Sequence, residues 1–297
     1  SLTKEEIGRI IAETKALHDY QEEPSSPEAL ATIPLEDITS NLYGCYKGGA
    51  YSFYNLIPTV TSMIGVSALP SLATAWAQED KKMTKYNIEA VLRIVSIIAL
   101  PVGLGISALS REILTIFYPS NDQVSIMSGL LFVLAISGVL AGVAMPVTSM
   151  LQAIGKQKIP VRNVLIGMGT KITLNFILVG IPEINIMGAA YSTLACYAVI
   201  VTLNIIALVR HSGVMPNLWS TLGKPIIAGV SSMITAMLSV NLLENVGVGL
   251  MTRTVISVGF AAIIYLFVLF ALKTMTKEDI KLLPKGEKIA KILAKFK

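Results

Sequence analysis

The sequence predicts an all-α, polytopic transmembrane helix bundle, and three observations carry that prediction. Of the 297 residues, 53% are hydrophobic and 14% charged, whereas soluble domains run at about a quarter charged. The apolar residues gather into long runs between residues 51 and 272. Each run is near the roughly 20 residues with which a helix crosses about 30 Å of hydrocarbon, a length that fits helices and not barrel strands. Basic residues gather in alternate connections between the runs, as the retention of lysine and arginine on the cytoplasmic side requires.

Residues 1–47 come first. The stretch TKEEIGRIIAETKALH puts Ile7, Ile10, Ile11, Ala16 and Leu17 on about one helical face, with Thr3 and Glu6 at capping-box spacing, so 3–18 reads as a short amphipathic helix. QEEPSSPEALATIP carries turn residues and no apolar period, and reads as a linker. Glu5, Glu6, Glu13, Asp19, Glu22, Glu23, Glu28, Glu36 and Asp37 outnumber Lys4, Arg9, Lys15 and Lys47, and the lack of a basic cluster places this segment on the extracytoplasmic side. With no signal peptide ahead of it and Ser1 at its start, it is expected to belong to a longer chain whose earlier helices carried it across.

About seven spans follow, at 51–77, 88–109, 124–151, 161–181, 187–209, 225–243 and 254–272. The first opens with YKGGAYSFYNLIP, where Lys47, Tyr51, Ser52, Tyr54 and Asn55 make a polar cluster ahead of Pro58. Its tyrosines fit an interfacial aromatic belt or a sugar platform. Pro58, Pro70, Pro101 and Pro146 lie inside apolar runs, where each removes a backbone hydrogen bond and is expected to kink its helix. Kinks suit a transporter, although neighbouring groups make them tolerable in membrane helices generally.

The connections assign the topology. Lys81, Lys82 and Lys85, then Lys156, Lys158 and Arg162, then Arg210 and Lys224 mark alternate connections as cytoplasmic, while SREILTIFYPSND, IPEIN and NVGVGLMT between them hold a single arginine. The chain thus divides into an extracytoplasmic helix and linker (1–47), a transmembrane lobe (48–273) and a cytoplasmic basic tail (274–297). In the tail, Ile289, Ile292, Leu293 and Phe296 oppose Lys285, Lys288, Lys291 and Lys295, the pattern of a helix lying on an anionic membrane surface, with a solvated tail as the alternative. The net charge of +5 therefore points to membrane lipid as the partner and not to nucleic acid.

No catalytic constellation emerges. His18 and His211 fall on opposite sides of the membrane, so they cannot share a metal site or a triad. No phosphate-binding GxxxxGK[ST] loop is present, and Cys45 and Cys196 give no disulfide framework. The expectation is a non-enzyme without cofactor or metal.

One residue stands out. Lys171 lies nine residues beyond Arg162, about 13 Å deeper at about 1.5 Å per residue, close to the bilayer centre. Burying a lysine there costs roughly 2.5–3.5 kcal/mol on insertion scales. Asn175 follows at i+4, with Thr170 and Thr173 nearby, so the helix shows a polar stripe that suits a bundle interior or a wet cavity. Three readings stay open: an amine that attracts an anionic substrate group such as a diphosphate, an amine held by carbonyls freed at a kinked neighbour, and an amine that snorkels to the inner leaflet.

Over residues 38–297 the chain resembles the C-terminal half of the multidrug/oligosaccharidyl-lipid/polysaccharide flippase superfamily. It is most similar to the branch of stage V sporulation protein B-like polysaccharide-biosynthesis proteins and lipid II flippase relatives. The stretches that carry the resemblance are LYGCYKGGAYSFYNLIP with GVSALPSLATAWAQ, MLQAIGKQKIP, KITLNFILVGIPEINIMGAAYST and KEDIKLLPKGEKI. The resemblance implies two six-helix lobes with two trailing helices, and alternating access that moves a lipid-linked saccharide across the membrane. This chain would supply the eighth helix onward and pair with an N-terminal lobe of the same protein. Lipid II flippases carry arginine near the Tyr-rich start of the eighth helix, whereas here Ser52, Phe53 and Tyr54 occupy that neighbourhood and Lys47 is its only basic residue. Anion capture would then shift to Lys171 or to the first lobe, with Lys171, Asn175, Lys47, Tyr51 and Asn55 as the expected cavity residues.

Two rivals are weighed against this flippase. A multidrug and toxin extrusion-type cation antiporter calls for a membrane-embedded acid, yet Glu89, Glu183 and Glu244 fall at span ends. A non-transporting scaffold for cell-wall synthesis needs no cavity at all.

Overall fold

The first apolar run begins as a π-helical segment, Cys45–Ala50, passes into α1 (Tyr51–Tyr54) and resumes after Asn55 as α2 (Leu56–Ala77). The interruption has a local cause. Pro58 has no N–H to give the carbonyl of Tyr54, so the ladder loses a rung there, while Asn55 N still donates to Tyr51 O (3.2 Å) and Thr59 N to Asn55 O (3.3 Å). This computed structural model describes residue 40, residues 43–119, 123–181 and 183–272, and residue 274. The expected helix at 3–18, its linker and the tail lysines Lys285, Lys288, Lys291 and Lys295 lie outside the described residues.

After α2 the chain turns through Glu79, at a φ of 55°, and Asp80 opens α3 (Lys81–Ala108) by accepting the Lys82 and Met83 backbone amides, each at 2.9 Å. A carboxylate at that position satisfies orphan amides and complements the helix dipole. The short α4 (Ser110–Phe117) precedes α5 (Val124–Ala153), α6 (Lys158–Val179) and α7 (Met187–Ser212), which Gly213 closes in the left-handed region. A π-helical segment, Trp219–Gly223, leads into α8 (Lys224–Asn245), and α9 (Leu250–Ala271) follows.

Among the described residues, six helical stretches are long and apolar enough to cross a membrane: Cys45–Ala77, α3, α5, α7, Trp219–Asn245 and α9. The remaining span expected from sequence is present as α6, which has the same 22 residues as α9. It is less apolar than the others because Arg162, Asn163, Lys171 and Asn175 interrupt it. A membrane helix of that composition needs a partner along its polar side.

The most buried helix is α5, which packs against α2, α3 and α7. Its Pro146 is buried against α2, where a Cβ on Gly65 would stand 2.8 Å from the proline Cα; Pro70 and Pro101 lie inside α2 and α3. Two large apolar clusters fill the bundle, one around Tyr54, Leu130 and Leu134, the other around Leu72, Leu92 and Leu151. Lipid tails are as apolar as leucine, so these clusters stabilise the bundle through close van der Waals packing and not through exclusion of water. On one flank α6 packs chiefly against α7, and on the other α8 packs against α3 and α9 against α8.

Candidate functional site

The polar stripe of α6 finds its partner on α7. The two helices run antiparallel, and every fourth residue of one meets every fourth residue of the other. Asn163 Nδ2 donates to Asn204 Oδ1 at 2.8 Å. One turn further along α6, Gly167 lies so close to α7 that a Cβ would collide with Ile200 and stand 3.2 Å from the Cys196 carbonyl oxygen. The next residue at that spacing is Lys171, whose amine lies within electrostatic reach of the Cys196 thiol. Another turn on, Ser192 Oγ donates to Asn175 Oδ1 at 2.7 Å. Asn204 Nδ2 also donates to Thr148 Oγ1 of α5 at 3.1 Å, so the seam is anchored to the central helix.

Lys171 therefore occupies the middle of a helix–helix seam, half-buried, with amide hydrogen bonds above and below it. Those bonds replace partners that hydrocarbon cannot supply. Asn175, expected beside Lys171 in a cavity, has its amide oxygen engaged by α7, and Thr170 Oγ1 returns to the Ile166 carbonyl of its own helix (3.0 Å).

A second set of side chains reaches the same region from the first span. Lys47 Nζ stands 4.2 Å above the centre of the Tyr51 ring, a contact in which the ammonium is attracted to the ring quadrupole. Tyr51 lies between Tyr46 and Tyr54, at centroid distances of 5.9 and 4.9 Å, and Tyr54 continues to Tyr197 of α7 at 6.2 Å. The hydroxyls of Tyr54 and Tyr197 lie within electrostatic reach of each other, and those of Tyr46 and Thr193 are 3.2 Å apart. Tyr54 is only 1% exposed, so it belongs to a bridge between the first span and α7 and not to a lipid-facing belt.

These two frames bring Lys47 and Lys171 into electrostatic reach of each other, and among the described residues no carboxylate acts on Lys171. Like charges repel, and an anion placed between them relieves that repulsion while accepting charge-assisted hydrogen bonds. Asn55 stands exposed at the break between α1 and α2, one turn beyond Tyr51. The kink prolines are not gathered here: Pro58 and Pro70 belong to α2, Pro101 to α3 and Pro146 to α5.

Residues that the sequence reading passed over complete the site: Asn163, Asn204, Ser192 and Tyr197. The signal that would have found the first three is the shared spacing of four, Asn163–Gly167–Lys171–Asn175 on one helix and Ser192–Cys196–Ile200–Asn204 on the next.

The family model described as lipid II flippase MurJ matches residues 59–257, which takes in Lys171 and Asn175, while Lys47, Tyr51 and Asn55 lie ahead of it. The chain is similar to the lipid II flippase MurJ of Bacillus subtilis, 24% identical over 160 residues that make up 53% of this chain and 29% of that one. It is also similar to the uncharacterized membrane protein YabM of the same organism, 23% identical over 236 residues (77% and 43%). A third relative, the uncharacterized membrane protein MJ1068 of Methanocaldococcus jannaschii, is 23% identical over 244 residues (81% and 46%). The chain spans less than half the length of each of these relatives. With a family model covering most of its helices, this multi-pass helical membrane chain belongs to the lipid II flippase MurJ family.

Proposed function

We propose that this chain is the C-terminal part of a flippase that moves a lipid-linked oligosaccharide or peptidoglycan precursor across the bacterial cytoplasmic membrane by alternating access. The observation that carries the proposal is the pair of ammonium groups, Lys171 on α6 and Lys47 over the Tyr51 ring, within electrostatic reach of each other and with no carboxylate acting on Lys171 among the described residues. A lipid-linked saccharide presents phosphate oxygens at the junction of sugar and lipid, and such oxygens are what two neighbouring ammonium groups bind. In this reading Lys171 and Lys47 hold the anionic group, Tyr51 orients Lys47, and Asn175 and Asn55 line the edges of the cavity.

The first span supports a further part of the reading. Ser52, Asn55, Thr59, Met63, Val66 and Ser67 are all exposed along one helical face, where the N-terminal lobe of the same protein is proposed to sit across the cavity. Segment 1–47 is proposed to lie outside the cell and the basic tail inside. Pro58, Pro70, Pro101 and Pro146 are proposed as bending points for the alternation, since each leaves a carbonyl without its helical partner.

The test is reconstitution of the full-length protein in vesicles with a fluorescent lipid-linked saccharide, its transbilayer movement followed by reduction of the outer-leaflet dye. A flippase protects and exposes the dye with time. A scaffold leaves the leaflet distribution fixed, and a cation antiporter moves cations against a proton or sodium gradient while ignoring the lipid.

A further inference from the structure

The connection between α7 and α8, residues 213–223, is fastened at several points. Asn217 N donates to Glu89 Oε1 of α3 at 2.8 Å. Asn217 in turn accepts from its neighbours, its Oδ1 from Ser220 N (3.1 Å) and its carbonyl from Thr221 Oγ1 (3.0 Å). At the end of the connection, Lys224 Nζ donates to the Leu272 carbonyl beyond α9 at 2.8 Å. Val214, Pro216 and Thr221 are buried beneath it.

This fastened backbone displays apolar side chains. Met215 is 75% exposed, Leu218 36% and Trp219 65%. The indole is also seated: a Cβ on Gly223 would stand 2.6 Å from the Trp219 ring, so only a glycine lets the ring lie where it does. The connection follows α7 directly and leads into α8, both helices of membrane-crossing length and apolarity, so it sits where hydrocarbon gives way to headgroups. Tryptophan favours that zone because its ring is apolar and its N–H seeks a polar partner. Arg210, exposed in the last turn of α7, and Lys224 at the start of α8 add cationic flanks that attract anionic headgroups.

We propose that residues 213–223 form a membrane-surface anchor whose partner is the phospholipid leaflet, with Met215, Leu218 and Trp219 dipping into the boundary between headgroups and acyl chains. The anchor fixes the depth of the α7–α8 turn and, through Lys224 and Leu272, of the α8–α9 pair. It does not depend on what the protein transports.

The experiment uses the full-length protein in nanodiscs of phosphatidylcholine and phosphatidylglycerol, with every tryptophan other than Trp219, Trp76 included, replaced by phenylalanine. The expected result is blue-shifted emission, quenched more by lipids brominated near the carbonyl end of the chain than by lipids brominated near the methyl end, with little quenching by aqueous iodide. Red emission that iodide quenches and brominated lipid does not would place the connection in water and overturn the proposal, and so would strongest quenching by methyl-end bromines. A spin label at Met215→Cys gives an independent depth that does not require the tryptophan replacements. Accessibility to dissolved oxygen typical of the interface supports the anchor, and full accessibility to an aqueous relaxation agent overturns it.

Discussion

Ser192 Oγ donates to Asn175 Oδ1 at 2.7 Å, one turn along α6 from Lys171, which lies within electrostatic reach of Cys196. That bond makes Asn175 a residue that fixes α6 against α7, and through α6 it fixes the lysine. Asn175→Leu should cost about 0.6–1.7 kcal/mol, the range of hydrogen bonds between membrane helices. Ser192 Oγ keeps its bond to the Ala189 carbonyl (3.0 Å), so the loss stays at the lower end. Thermal unfolding of the detergent-solubilised protein, with Ser192→Ala and the double variant completing the cycle, measures it.

A methyl group at Gly167 has no room. Its Cβ would collide with Ile200 and press on the Cys196 carbonyl, so Gly167→Ala should destabilise by about 1–3 kcal/mol, the cost of overpacking a tight contact. Combining it with Ile200→Ala should restore part of the loss, because the truncated side chain vacates the space that the new methyl needs. The unfolding midpoints of the two single variants and the double variant check this.

Tyr51 separates ring from hydroxyl. Lys47 Nζ lies over the ring face at 4.2 Å, so Tyr51→Phe should keep most of the affinity for a lipid-linked diphosphate. Tyr51→Leu should lose about 2- to 30-fold, the equivalent of about 0.5–2 kcal/mol for a cation over an aromatic face. Equilibrium binding to the two variants gives the comparison.

The break at Asn55 is ascribed to the missing N–H of Pro58. Pro58→Ala supplies a donor for the Tyr54 carbonyl, and the helix should then run unbroken from α1 into α2. Hydrogen exchange reads this directly: the new amide at position 58 should exchange as slowly as those of the following turn.

The fold was legible in the sequence because membrane thickness imposes a length on every apolar run, and 124–151 and 187–209 fall within α5 and α7. α4 was hidden inside a stretch read as a connection, since eight residues are too few to show a period. The fastening of 213–223 was hidden too, because the bonds from Asn217 to Glu89 and from the adjoining Lys224 to Leu272 join residues far apart in the chain. At the site, Lys171 announced itself by its burial cost, but its surroundings did not. A single helix shows which residues share a face and not which helix they face, so the bond from Ser192 to Asn175 could not be read from α6 alone. The tyrosines of the first span suit a belt or a platform from sequence alone, and only the fold shows Tyr54 buried against Tyr197.

The central claim is that Lys171 and Lys47 together bind the anionic part of the transported lipid, and equilibrium binding of undecaprenyl diphosphate to the full-length protein and its Lys171→Gln variant tests it most directly. Loss of one charged hydrogen bond, worth about 1.5–3 kcal/mol, predicts a Kd raised about 10- to 150-fold, with a smaller further loss when Lys47→Gln is added. An unchanged Kd in the well-folded Lys171→Gln protein would contradict the account.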